Sequence, residues 1–162
     1  MIDPLATELV PIDDDGKLFI SPVITDWAPV HALGIEVIID LEGTLDAGVS
    51  TRPGHILYIY HHIYDEDLPD LTRLHAIASL AARLIRAGQK VLAHCSMGYN
   101  RSALVAGLIL TELGVDGPAA VERLRARRPG ALYNERFAEY LASIPPGRGD
   151  PDGAPRRGGA AC

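Results

Sequence analysis

With 162 residues and 48% hydrophobic content, the chain is long enough to bury one complete core and short for two domains. A net charge of −6 argues against long polyanionic partners, so nucleic acid is not expected; a single phosphate group stays within reach of one local site. The longest apolar run, Ala103 to Leu110, is too short to cross a bilayer, and "MIDPLATELV" shows no basic or apolar leader region, so no membrane partner is expected and the cytoplasm is.

In chain order, residues 1–16 read as an N-terminal arm and a turn. Asp13, Asp14 and Asp15 lack the alternating acidic spacing of a calcium loop and read as a solvated turn. "KLFI" (17–20) reads as a short strand and "TDWAPVHALG" (25–34) as a short helix ending at Gly34. "IEVIIDLE" (35–42) and "HILYIYHHI" (55–63) are β-branched or aromatic strands. Leu71, Leu74, Ile77, Leu80, Ala81, Leu84 and Ile85 form the apolar stripe of a helix over 71–87, with Asp70 as its N-cap. "KVLAH" follows as a strand, then a helix over 101–113 that stops at Gly114, another from Asp116 to Arg128, and a last one over 133–144. Strands alternating with helices predict one α/β domain over 17–144: a mostly parallel, twisted sheet of about four to five strands with helices on both faces. Pro145 to Cys162 is half Pro and Gly and reads as a disordered tail; its "RGD" (148–150) reads as chance composition.

"VLAHCSMGYNRSALVAGLIL" (91–110) concentrates the chemistry. A strand runs into a nearly all-apolar helix through a loop that opens on Cys95 and closes on Arg101. In a parallel sheet, ligands collect at the carboxyl ends of strands, where helix N-termini offer free N–H groups and the positive end of the dipole. Gly98 opens backbone conformations closed to other residues, and Arg101 supplies a planar, two-pronged donor for phosphate oxygens. A positive cradle of this kind favours a thiolate over a thiol, and a thiolate attacks phosphorus. Read alone, Cys95 is as well explained as an inert buried residue; Gly98, Arg101 and Ser102 in register argue against that.

"HCSMGYNRS" resembles the His-Cys-x5-Arg-Ser signature of the cysteine-based protein tyrosine phosphatases, and the short chain resembles their compact dual-specificity branch. The resemblance implies that Cys95 attacks phosphorus to give a phosphocysteine intermediate. Arg101 and the loop backbone of Ser96, Met97, Gly98, Tyr99 and Asn100 would hold the phosphate. Ser102 would help the thiolate leave in the second step, and His94 would organise the loop from behind. No metal and no cofactor are implied.

The family takes its general acid from a loop ahead of the helix that precedes the cysteine strand. Here that loop is "YDEDLPDL" (64–71). Asp65 follows the strand end, as the family acid does, and is the first choice; Asp67 stays open, and Asp70 is better explained as the N-cap. "RPGALYNERF" (128–137) resembles the segment that dual-specificity phosphatases carry after the signature, in which Asn134 and Phe137 would have bracing roles. His61 and His62 lack partners at metal-ligand spacing and read as packing or rim positions.

The variable loop positions Ser96, Met97, Tyr99 and Asn100 are uncharged, whereas inositide-directed relatives carry Lys or Arg there. Their absence speaks against phosphoinositides. A chain too short for the pocket-deepening insertions of the large tyrosine-specific domains resembles a shallow-pocketed enzyme, which implies phosphotyrosine, and also phosphoserine and phosphothreonine, in proteins; a monomer is expected. The alternatives are a non-protein phosphomonoester (phospholipid, sugar or RNA end) and a phosphopeptide-binding module with little turnover. Rhodanese-like phosphatases fit the acidic loop less well. Low-molecular-weight phosphatases and arsenate reductases carry the Cys loop near the N-terminus, unlike residue 95 here.

Overall fold

The computed structural model describes residues 8–145. Five strands form one sheet: β1 (Val10–Pro11), β2 (Leu18–Ser21), β3 (Ile35–Asp40), β4 (Leu57–Tyr60) and β5 (Lys90–His94), in the order β1-β2-β5-β3-β4. All neighbours run parallel except β1, which pairs antiparallel with β2 at the edge, Val10 opposite Ile20. The helices are α1 (Ala28–Ala32), α2 (Leu71–Arg86), α3 (Arg101–Glu112), α4 (Gly117–Arg127) and α5 (Glu135–Ala142).

The β-branched strands sort their side chains by the period of two that a pleated strand imposes. Leu18, Ile20, Val37, Ile39, Val91 and Ala93 face the larger core, which they share with α2 to α5. Phe19, Ile38 and Leu92 face the opposite side with Val30 of α1 and with Ile35, which a register shift between Ile35 and Val37 turns to that face; Trp27 packs against them. The sheet is thus covered on both faces, as the alternation of strands and helices predicts.

α3 is the central helix. Every residue from Ser102 to Thr111 is buried, which explains its lack of a polar face. β5 lies between β2 and β3, so its carboxyl end, and the loop to α3, opens where the ends of β2 and β3 also meet.

Several boundaries differ from the sequence expectation. The segment expected to be an arm contributes β1. Asp13 is no solvated turn residue: it is buried, and its carboxylate accepts the N–H groups of Lys17 (2.9 and 3.1 Å) and Leu18 (2.9 Å), closing the turn into β2. The helix expected over 25–34 shrinks to Ala28–Ala32, with Pro29 in its first turn, where a missing N–H costs nothing. The strands expected over 35–42 and 55–63 shorten to Ile35–Asp40 and Leu57–Tyr60. The last helix starts at Glu135, since Asn134 caps it through Arg136 N (3.2 Å). Asp70 caps α2 as expected, and Asp116 caps α4, which runs from Gly117 to Arg127. Cys162 and the "RGD" of the expected tail lie outside the described residues.

Candidate active site

β5 carries His94 at its end, and the chain turns at once into the loop Cys95–Asn100 before α3 begins at Arg101. Cys95 is buried, with its thiol 3.4 Å from Ser102 Oγ and its sulfur accepting the Gly98 N–H at 3.3 Å. The backbone therefore curls round the sulfur. Gly98 has φ +74° and packs on the end of β2, and the Ser96 carbonyl accepts Val23 N–H (3.2 Å). The backbone N–H groups of Ser96, Met97, Tyr99, Asn100 and Arg101 find no acceptor among the described residues, and Asn100 makes no side-chain cap on α3. Free N–H groups at a helix start, wrapped round a cysteine, form an anion cradle.

Arg101 is held by the carbonyls of Ile63 (3.1 Å) and Leu41 (3.4 Å) and by Ser96 Oγ (3.0 Å), so its guanidinium lies beside the loop. Ser96 Oγ in turn donates to Glu42 (3.2 Å). Ser96 is thus a hydroxyl link between a carboxylate and the arginine, as well as a backbone donor.

His94 is fully buried, and its Nε2 lies 2.6 Å from Asp46 Oδ2 and 3.7 Å from Asp40 Oδ1. With carboxylates facing it, Nε2 carries the hydrogen and donates to Asp46, which fixes the ring behind Cys95. Tyr58 ties the two aspartates together: its O–H donates to Asp40 and its oxygen accepts Asp46 N–H (2.8 Å). Burial raises the Asp40 carboxyl above the ordinary carboxylate range, against the pull of the Tyr58 bond; burial and then Asp40 raise the Tyr58 phenol. Asp40, Glu42, Asp46 and His94 form one polar cluster under the loop, their nearest ligand atoms all within 4.8 Å.

Of the three candidate acids, Asp65 alone is joined to the signature loop among the described residues. Its carboxylate accepts Asn100 Nδ2 and Asn134 Nδ2, each at 2.8 Å. Asp67 pairs with Arg136 on the surface, and Asp70 serves as the cap of α2, accepting Thr72 N–H at 2.9 Å. The Tyr99 ring lies under the Arg128 guanidinium (4.2 Å) and beside Tyr133. Met97 and Tyr133 are exposed. His61 and His62 are half-buried residues just past the end of β4; burial, with Arg73 nearby, lowers the His61 imidazole.

Arg128 is a site residue that sequence reasoning misses. It is buried, and donates to the carbonyls of Gly98 (2.8 Å) and Met97 (3.1 Å) while pairing with Glu8 (2.8 Å). Turning those two carbonyls toward Arg128 points the neighbouring N–H groups the other way. The Arg-Pro pair is the one signal in the sequence that could have found it.

A cysteine in an anion cradle at the carboxyl end of a central parallel strand, closed by an arginine, defines the class of cysteine-dependent phosphatases. The sequence matches the family "Dual specificity phosphatase, catalytic domain" over residues 21–144, and the chain belongs to that family, whose members are protein-tyrosine and dual-specificity phosphatase enzymes. No curated protein matches. Among solved structures, human DUSP28 is 22% identical with a TM-score of 0.69, over 83% of this chain and 90% of that one. A mouse putative dual specificity phosphatase complexed with zinc tungstate is 20% identical, with a TM-score of 0.69 over 87% and 88%. Human tyrosine phosphatase-like serine/threonine/tyrosine-interacting protein is 23% identical, with a TM-score of 0.67 over 83% and 93%. These likenesses show the fold.

Proposed function

We propose that the chain hydrolyses phosphotyrosine, and phosphoserine and phosphothreonine, in phosphoproteins by a two-step route through phosphocysteine. The observation that carries this reading is the curl of the loop round Cys95, with Gly98 N–H on the sulfur, Ser102 beside it and the free N–H groups of the loop. The cradle takes three phosphate oxygens, and Arg101 turns part of its fork to two of them. Cys95 Sγ attacks phosphorus, the S–P bond forms, and the ester P–O bond breaks as Asp65 gives its proton to the leaving oxygen. Water then attacks phosphorus, Asp65 takes its proton, and the S–P bond breaks. Ser102 Oγ hydrogen-bonds the departing sulfur, and His94, pinned by Asp46, keeps the backbone at Cys95 in place.

A protein substrate is supported by the uncharged side chains at Ser96, Met97, Tyr99 and Asn100 and by the carboxylates nearby. Arg128 is already committed to Glu8 and to loop carbonyls. Substrates carrying several phosphates gain little there. The test is turnover of a phosphotyrosine peptide, a phosphothreonine peptide, a phosphoinositide and an RNA 5′-phosphate by the wild type and by Cys95→Ser. Hydrolysis of the peptides above the other two, lost in the variant, supports the reading; preference for the phosphoinositide or RNA overturns the substrate assignment.

A further inference from the structure

Asp65 is gripped by two asparagines whose amide orientations are each settled by another contact. Asn100 Oδ1 accepts the Asn134 N–H (2.9 Å), so Asn100 Nδ2 faces Asp65 Oδ2. Asn134 Oδ1 caps α5 by accepting Arg136 N–H, so Asn134 Nδ2 faces Asp65 Oδ1 and also the Glu66 carbonyl (3.0 Å). Both side chains therefore donate, one to each carboxylate oxygen. Asn100 is 2% exposed and so holds a fixed place, whereas Asp65 is exposed, and the two amides are what orient its carboxylate against solvent.

The segment that presents Asn134 is firmly held. Leu132, fully buried, adopts φ +59°, a conformation that a branched side chain tolerates only where its surroundings force it. Its N–H donates to the Tyr99 carbonyl (2.9 Å), and Arg125 holds the carbonyls of Ala131 (3.4 Å) and Leu132 (3.0 Å). On the other side, Arg101 holds Ile63 O, two residues before Asp65. The acid loop, the signature loop and the turn before α5 are thus pinned to one another.

We propose that Asn100 and Asn134 are positioning residues: a paired amide latch that sets Asp65 for proton transfer, on the reading above that Asp65 is the acid. The latch acts on the step in which the ester P–O bond breaks and its electron pair passes to the leaving oxygen with the Asp65 proton. An oxygen that leaves readily as an anion needs that proton less, so loss of the latch must depend on the leaving group. A merely structural role would lower all rates alike.

The experiment compares phenyl phosphate with 2,4-dinitrophenyl phosphate in Asn100→Ser and Asn134→Ser, each alone and combined with Asp65→Ala. Serine keeps a short capping oxygen at position 134 and removes the long donor. As acid catalysis is worth about 10²- to 10⁴-fold, each latch substitution is expected to lower kcat on phenyl phosphate by about 10-fold, and on the dinitro ester by under about 3-fold. In the Asp65→Ala background the same substitutions should cost under about 2-fold on phenyl phosphate, because the group they position is gone. Equal losses on both esters, or losses that multiply with Asp65→Ala, overturn the latch while leaving the acid assignment standing. If Asp65→Ala itself shows no dependence on the leaving group, the acid assignment falls and the latch with it. Should Asn100→Ser fail to fold, the half-buried Asn134→Ser decides between these outcomes.

Discussion

Gly98→Ala tests whether the cradle owes its shape to the end of β2. A Cβ at this position would lie 2.7 Å from Pro22 N and from the Ser21 carbonyl carbon, and 2.9 Å from Ser21 O. Those are backbone atoms, so no side-chain rotation relieves them. The shortest contacts fall about 0.7 Å short of ordinary van der Waals distance, and the loop must lift off β2 by that much. The left-handed φ of +74° adds roughly 1–2 kcal/mol for any residue with a Cβ, and the overlap roughly 1–3 kcal/mol more. A total of about 2–5 kcal/mol is a large part of the roughly 5–15 kcal/mol by which a domain is stable. Gly88→Ala is the control: its φ is +93°, but nothing lies within 4 Å, so it carries the dihedral cost without the clash. The assay is urea unfolding of both variants, with kcat/KM on an aryl phosphate. Because a misplacement near 1 Å can cost about 10²-fold, Gly98→Ala should lose at least about 10-fold in kcat/KM and Gly88→Ala almost nothing. Equal destabilisation and equal activity in the two variants would refute a cradle shaped by β2.

Further outcomes follow from other contacts. Arg128→Ala should cost about 2–4 kcal/mol, because the buried Gly98 carbonyl and the Met97 carbonyl lose a charged donor, and should weaken binding of tungstate as a phosphate mimic; Arg128→Lys, unable to span both carbonyls, should restore little. Tyr58→Phe removes the hydroxyl between Asp40 and Asp46 and should lower stability by about 1–3 kcal/mol, read by thermal unfolding, with the loss concentrated under the loop. Burial holds the His61 pKa below its ordinary 6.5, so the unfolded chain takes up a proton there before the native one does. Stability from His61 is thus present above pH of about 6.5 and lost as pH falls toward the folded value; His61→Phe should flatten that part of a pH series of urea unfolding curves. Asp40 has the opposite sense: its raised pKa makes the native state bind the extra proton, so its contribution fades as pH rises from 3.8 through the folded value.

The parts of the site that are contiguous in the chain are legible from the amino-acid order alone. Cys95 and Gly98 sit in one loop, with Arg101 and Ser102 in the first turn of the helix that follows it, and the strand and helix on either side declare themselves by composition. The sheet is legible too, since β2, β3 and β5 are near-continuous apolar runs, as strands buried on both faces must be. What the sequence hides is what tertiary folding assembles. Asp65 meets Asn100 across 35 residues and Asn134 across 69, and no local pattern predicts which of several polar loop residues will turn inward. Arg128 looks like an ordinary basic residue at the end of a helix, and only burial sets it on Gly98 and Met97. β1 escapes notice because two residues ending in proline carry almost no strand signal, and an edge position is where proline is tolerated. Asp13 is misleading because an acidic cluster looks solvated from composition alone, whereas its first member closes a backbone turn.

Cys95 as the nucleophile is tested most directly by catching the intermediate. Wild-type enzyme mixed rapidly with an aryl phosphate, quenched in acid and digested should yield a peptide bearing phosphate on the sulfur of Cys95, absent from Cys95→Ser and accumulating in Ser102→Ala. Turnover with no label on Cys95, or activity that survives Cys95→Ser, would contradict that assignment.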